Sequence, residues 1–507
     1  MLIPPLLLPS ILYCGLIFLV FFMPGFALSK LLPLNMKERI SVSPLFSVLL
    51  LSCMAFVSQT LFRVPLPSIG PLILVIAAAS TIYCLGDCMS LGDGKWILQV
   101  FIAAILFRVI LINTMTIGAP RDFINYSDYF DHGLEFLDSE WNYTGYRTPL
   151  MSLQYGLVMA IFGNEFWIVQ IAAGVINVLL LLPSALIIEK FFGGRINDLA
   201  LPLLAINPSI IDQSLRMWPK SFTAYFCLVF LYSLIRMADV RGARKRATNH
   251  LILAVSAALA ILSHYYALFF FLPWVVVYLL FVGRISFRYS LASFIVFVIV
   301  LSPWIYFTHV YGSPASGFLK MPLAINGIDD DEIVFFREHS FGELLSDVVR
   351  QPAKFVAIRI VNTVNYHAPV LFSIMSVKAL DEAAAESIFG PTIHWMDWTG
   401  HYSSCIQGQL TLVISIFALL GLWHLMREKF DQFLLIILPT FVLIFYFGHI
   451  LFFRFGYYFW WSPLIPILVG LGLEEAIVRR KVPSYLLVVP AVIETAIYLY
   501  FLHLIIP

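Results

Sequence analysis

A chain of 507 residues that is 61% hydrophobic and only 12% charged is excluded from the ordinary soluble domains and reads as a polytopic membrane protein. Lys plus Arg at 31 against Asp plus Glu at 30 leave a net charge of +1, so the balance carries no nucleic-acid or polyanion signal. The informative quantity is where the charges sit.

The chain opens on MLIPPLLLPSILYCGLIFLVFFMPGF, which lacks a basic leader and is long enough to span, so it reads as a retained helix rather than a cleaved signal. Runs of about 20 mostly apolar residues are expected as helices near 6–29, 43–62, 69–88, 96–114, 165–189, 197–211, 219–237, 250–263, 266–283, 289–309, 409–426, 432–452, 457–475 and 483–505. That makes an all-α chain with about fourteen transmembrane helices. The basic loops Lys30–Arg39, Lys190–Arg195, Arg241–Arg246, Arg284–Arg288, Arg427–Lys429 and Arg479–Lys481 then fall on one side, which the positive-inside rule makes cytoplasmic. This parity closes only if Thr148–Gly163 is a helix at the membrane surface and not a full span. Residues 115–164, 212–218 and 310–408, with both termini, share the outer side.

The outer region 310–408 is too long for a mere connection and carries DDDE at 329–332 and the aromatic HWMDWTGHY at 394–402. Within it, YHAPVLFSIMSV at 366–377 is apolar but too short to span. Cys14, Cys53, Cys84, Cys88 and Cys227 lie in apolar runs and Cys405 stands alone outside them, a scatter that reads as packing rather than as a metal or disulfide framework.

The polar exception to this apolar pattern is Arg121–Gly163, which gathers acids, aromatics, an arginine and a histidine in one outer loop. Asp128, Asp131, His132 and Glu135 fall at offsets 0, 3, 4 and 7, one face of an α-helix. The pattern suits either a solvated acidic face or carboxylates converging on a site.

SDYFDHGLEF followed by YRTPLMSLQYGLVMAIFG resembles the first extracytoplasmic loop of the GT-C glycosyltransferases. These are polytopic enzymes that use polyprenyl-phosphate sugars, such as the protein O-mannosyltransferases and the aminoarabinose transferase of lipid A. The family's loop aspartate matches Asp128, and its later R/K-x-P-L piece matches Arg147, Pro149, Leu150, Phe162 and Gly163. NPSIIDQSLRMWPKSFTAYF and RFGYYFWWSPLIPILVG are similar to later family segments. The resemblance implies a catalytic core at 91–309 with its outer loop at 115–164. It leaves 1–90 as a three-helix N-terminal addition, 310–408 as an extracytoplasmic region covering the site, and 409–507 as C-terminal transmembrane helices.

The resemblance further implies an inverting glycosyltransferase that takes a sugar from a polyprenyl-phosphate donor to a cell-envelope glycan, glycolipid or protein. It would sit in the inner (cytoplasmic) membrane with its site facing the periplasm or exterior. Such a reaction needs a base for the acceptor hydroxyl, cations for the departing phosphate and a groove for the lipid tail. Asp128 is the expected base and Asp122 its rival; Asp131, Glu135 and His132 are expected to orient the acceptor. For the phosphate the candidates are Arg454 with Tyr457 or Tyr458, together with Lys220, Arg216 and Arg147. At Lys220 the chain departs from relatives that carry an acid, and Asp212 is the nearest replacement. His264 and Tyr265 stand at the same outer boundary.

No cofactor is expected, because a monophosphate needs little charge neutralisation; magnesium or manganese on the Asp128–Glu135 face is the alternative. The competing class is a lipid or glycolipid transporter or flippase, which would mark its path with ionisable residues in mid-span. Here Arg108 is the main such residue, while the polar side chains crowd the outer loops.

Overall fold

The computed structural model describes residues 6–117, 129–137, 148–215, 217–281, 286–310, 339–362, 412–447 and 462–505. Every regular element among them is helical, as composition and periodicity lead one to expect. The chain divides into two compact units: Met1–Tyr143 with Thr148–Ala205 and Ile210–Tyr311, and Thr144–Arg147 with Ile206–Ser209 and Gly312–Pro507.

The first unit begins with α1 (Leu7–Ser29), α2 (Met36–Thr60) and α3 (Leu66–Met89). α2 starts seven residues before the expected 43, because Lys37, Glu38 and Arg39 depress hydropathy while a capping box nucleates the turn. The Asn35 side chain accepts from the Glu38 N–H at 2.9 Å, and the Glu38 carboxylate accepts from the Asn35 N–H at 2.9 Å. α1 and α2 meet backbone to backbone at Gly25, where a Cβ would lie 1.8 Å from the Ser43 carbonyl. α3 turns Leu72, Val75, Ile82 and Leu85 outward, as suits a helix bathed in lipid.

α4 (Lys95–Leu111) widens into a π turn at Ile112–Thr116, a local widening that often marks functional sites. α5 (Tyr129–Leu137) and α6 (Leu150–Phe162) follow. α7 (Phe166–Val178) and α8 (Leu181–Phe192) form one span at the centre of the unit, every residue of its most apolar window buried. The expected 197–211 segment is two short helices, α9 (Gly194–Ala205) and α10 (Pro208–Leu215). α11 (Lys220–Arg236), α12 (Ala243–Ser263), α13 (Leu268–Phe281) and α14 (Phe287–Val310) complete the unit. α12 reaches back to Ala243 because Arg244, Lys245 and Arg246, expected in a loop, form its first turn.

Ion pairs gather the first unit's basic loops at one end. Lys37 meets Glu189 at 2.7 Å, Arg236 meets the buried Glu38 at 2.9 Å, Lys190 pairs with Asp239, and Lys30 meets Asp87 at 2.6 Å. The far ends of α2, α4, α11 and α12 carry the residues that the charge pattern assigns to the outer side.

The second unit holds α15 (Phe341–Arg350), capped by Ser340 and Glu343, and α16 (Pro352–Asn362), both within the region expected outside. Then come α17 (Leu412–Glu428), α18 (Phe430–Phe447), α19 (Ile465–Leu473) and α20 (Tyr485–Ile505). α17 and α19 touch at Gly472, where a Cβ would fall 2.8 Å from the Ile414 carbonyl. Past α19, the buried Glu475 carboxylate receives His424 at 2.7 Å and Arg480 at 3.0 Å. Among the described residues seven helices are long and apolar enough to cross a membrane, all in the first unit, where fourteen spans were expected along the whole chain.

Candidate functional site

α5 is amphipathic at short range. Tyr129, Phe130, Gly133 and Phe136 are buried, while Asp131, His132 and Glu135 share its open side, as the 0, 3, 4, 7 spacing requires. His132 Nδ1 and Glu135 Oε2 stand 3.1 Å apart, one turn from each other. Asp128 precedes this helix directly and lies outside the described residues.

Three contacts fix α5. Its Gly133 faces Gly156 of α6 so closely that a Cβ on Gly156 would lie 2.8 Å from the Gly133 carbonyl. The Phe130 ring packs edge-on against Phe166 at 5.0 Å, and the Gln59 amide, in the last turn of α2, donates to the Phe136 carbonyl at 2.7 Å. α6 itself, at 13 residues or about 20 Å, is too short for a bilayer core of about 30 Å, in line with its exclusion from the spans. It is nevertheless largely enclosed: Leu150 through Met159 are all buried, so the expected surface helix is covered by protein over most of its length. Its apolar residues run round the whole helix, with no polar face for water.

From α6 the contacts lead to the start of α11. The Tyr155 hydroxyl donates to the Met217 carbonyl at 3.2 Å, and Met217 adopts φ +58°, the left-handed region that non-glycine residues rarely occupy. Trp218 is buried next to it, and the Lys220 ammonium lies 5.0 Å from the Trp218 ring centre. Tyr266 donates to the Lys220 carbonyl at 3.1 Å, and its ring lies 5.1 Å from that of His264. Thr223 and Ser263 hydroxyls meet at 2.8 Å, while Ser221 donates to the Gln213 side chain at 2.7 Å. Asp212, Gln213 and Ser214 are wholly buried on α10, so Asp212 stands on a helix and not on the short loop expected there.

Beside α5 opens an apolar cavity of about 300 Å³. Cys53 and Phe56 of α2, Phe136 of α5, Leu153 of α6, Leu262 of α12 and Trp304 of α14 are among its walls. Phe136 is shared: its backbone and ring belong to the helix that carries Asp131, His132 and Glu135.

The structure therefore brings Asp131, His132 and Glu135 together, and separately links Lys220 through Tyr266 to His264, whose ring is 4.6 Å from that of Tyr265. Tyr155 bridges the two groups through Met217. Asp122, Asp128, Arg147, Arg216, Arg454, Tyr457 and Tyr458 lie outside the described residues. Among the described residues no three His, Cys, Asp or Glu side chains converge as metal ligands. Sequence reading missed Gln59, Tyr155, Met217 and Gln213. Only Gln213 carries a signal, as part of the polar run Asp212–Ser214 in an apolar stretch.

Residues 146–307, from just before α6 through most of α14, match the family model of dolichyl-phosphate-mannose-protein mannosyltransferase. No curated protein sequence matches the chain. Two solved structures are similar in outline: the oligosaccharyltransferase AglB of Archaeoglobus fulgidus in complex with an inhibitory peptide and a dolichol-phosphate, and the apo oligosaccharyltransferase of the same organism. The first is 14% identical with a TM-score of 0.41, covering 81% of this chain and 55% of that one. The second is 13% identical with a TM-score of 0.41, covering 82% and 56%. The chain thus spans just over half the length of those proteins. Over residues 146–307, about a third of its length, the chain is thus similar to a family of GT-C membrane glycosyltransferases.

Proposed function

We propose that this chain is an inverting glycosyltransferase that takes a sugar from a polyprenyl-phosphate donor to a cell-envelope acceptor on the extracytoplasmic face of the membrane. One observation carries the reading: α5 presents Asp131, His132 and Glu135 on one side and contributes Phe136 to an apolar cavity of about 300 Å³ on another. A polar site for a sugar and an acceptor thus adjoins a groove suited to an isoprenoid tail.

In this mechanism the acceptor hydroxyl loses its proton to Asp128 as its oxygen attacks the anomeric carbon. The carbon–oxygen bond to phosphate breaks on the opposite face, which inverts the configuration, and polyprenyl phosphate departs with the bonding electrons. A positioned base contributes about 10²–10⁴-fold. Asp122 is the alternative base. Asp131, Glu135 and His132 orient the acceptor, with the His132–Glu135 contact of 3.1 Å setting the imidazole. Lys220, Arg147, Arg216 and Arg454, with Tyr457 and Tyr458, stabilise the leaving phosphate, and His264 and Tyr265 flank Tyr266, which bonds the Lys220 carbonyl. Lys220 suits that role because a cation at the start of α11, largely shielded from water, acts on developing charge more strongly than a solvated one.

The test is sugar transfer by the purified protein from a panel of radiolabelled polyprenyl-phosphate sugars to a membrane extract. Transfer from at least one donor is expected. Absence of transfer from every donor, with lipid movement across liposomes instead, would replace this reading with a flippase.

A further inference from the structure

At the basic end of the first unit, two polar cavities flank Arg241. One, of about 380 Å³, lies between α2, α8, α11 and the start of α12, where Lys190, Arg236, Arg241 and Lys245 face Glu38 and Asp239. The other, of about 310 Å³, is lined by Arg241 again with Arg246, Asn249, His250 and Tyr289 among others. In the first cavity both acids are already engaged, Glu38 by Arg236 and the Tyr232 hydroxyl, and Asp239 by Lys190. Arg241 and Lys245 are exposed and pair with no acid among the described residues. Two cationic side chains are left over, facing space large enough for a ligand.

The backbone adds to this excess. Gly242, at φ +93°, caps α12 without a side-chain hydrogen bond, so the N–H groups of the first turn of a 21-residue helix open beside Arg241 and Lys245. A second, independent feature points to the same ligand. Asn249 is buried and lines the second cavity; its amide nitrogen donates to the Ser233 carbonyl, which fixes the amide orientation, and its Oδ1 has no partner. Cations and free N–H groups call for an oxyanion, and a buried lone acceptor calls for a hydroxyl close to it.

We propose that these cavities bind the headgroup of an anionic glycerophospholipid. Its phosphodiester sits at Arg241, Lys245 and the α12 N-terminus, and a glycerol hydroxyl donates to Asn249 Oδ1. Tyr278 and Tyr289 in the second cavity are the aromatic side chains expected at a membrane interface. By the positive-inside rule this end meets the cytoplasmic leaflet, whose anionic lipids attract basic juxtamembrane residues. The site is separate from the outer end where sugar transfer is proposed.

The experiment measures thermal unfolding of the delipidated full-length chain in micelles, with phosphatidylglycerol, phosphatidylcholine or inorganic phosphate added. It compares wild type, the Arg241→Ala/Lys245→Ala double variant, and a charge-matched Arg195→Ala/Arg288→Ala control whose side chains are exposed outside both cavities. Phosphatidylglycerol is expected to raise the melting temperature of wild type and control by several degrees, with phosphatidylcholine and phosphate doing little. The double variant is expected to lose most of that shift and to retain about tenfold less phosphatidylglycerol in native mass spectrometry, a loss of about 1.4 kcal/mol. An undiminished shift in the double variant, or an equal shift from phosphatidylcholine, would overturn the proposal. So would inorganic phosphate reproducing the whole effect, which would make the site one for a soluble oxyanion.

Discussion

Tyr155 on α6 and Met217 before α11 are joined by one buried hydrogen bond of 3.2 Å, and Met217 holds a left-handed backbone at φ +58°. That conformation costs a non-glycine residue roughly 1–2 kcal/mol. The Tyr155 bond is one of the interactions that hold it, and so ties the helix following the acidic loop to the turn that delivers Lys220. Tyr155→Phe keeps the ring and removes the donor. It is expected to lower unfolding free energy by about 1–3 kcal/mol and to reduce sugar transfer, measured by chemical unfolding in detergent and by product formation. A variant as stable and active as wild type would mean that the turn is held by other contacts.

The Gly133–Gly156 contact makes a sharper demand on stability. A Cβ on Gly156 meets the Gly133 carbonyl at 2.8 Å, a backbone atom that cannot swing aside. Gly156→Val is therefore expected to cost about 1–3 kcal/mol or more and to displace α5. Gly86→Ala on α3 has nothing within 4 Å and is expected to be neutral or to gain about 0.5–1 kcal/mol. Thermal melts of the two variants side by side separate packing from a general glycine effect.

Cys53 tests the cavity. It is exposed on α2 and lines the apolar space, so Cys53→Trp fills the cavity without opening the core. KM for a long-chain polyprenyl-phosphate sugar is expected to rise about tenfold or more, with a much smaller change for a short-chain donor. Equal effects on both donors would show that the tail lies elsewhere.

Much of the architecture was legible in the sequence because hydropathy reports burial in lipid directly. The early ends of α2 and α12 were not, since capping at Asn35 and a charged first turn at Arg244–Arg246 shape helices that hydropathy cannot register. For the site, the common face of Asp131, His132 and Glu135 followed from helical period alone. The burial of α6 did not, because a 13-residue apolar helix reads alike whether lipid, solvent-side loop or protein surrounds it. Tyr155 and Met217 were invisible for another reason: their bond joins residues 62 apart in sequence, and a positive φ at methionine has no compositional mark.

Glu135→Gln separates orientation from structure. The His132–Glu135 pair is partly exposed, so its loss is expected to change stability by less than about 1 kcal/mol. Its proposed role predicts a raised KM for the acceptor with the donor KM unchanged, read from initial rates with each substrate varied in turn. A change confined to the donor would reassign the pair to the phosphate or sugar.

The most direct measurement compares wild type with Asp128→Asn in transfer from the labelled donor that wild type uses, with donor binding measured in parallel and EDTA as a further arm. The account predicts that transfer falls by about 10²-fold or more in the variant while donor binding persists, and that EDTA leaves the wild-type rate unchanged. Transfer by Asp128→Asn at the wild-type rate would contradict Asp128 as the base.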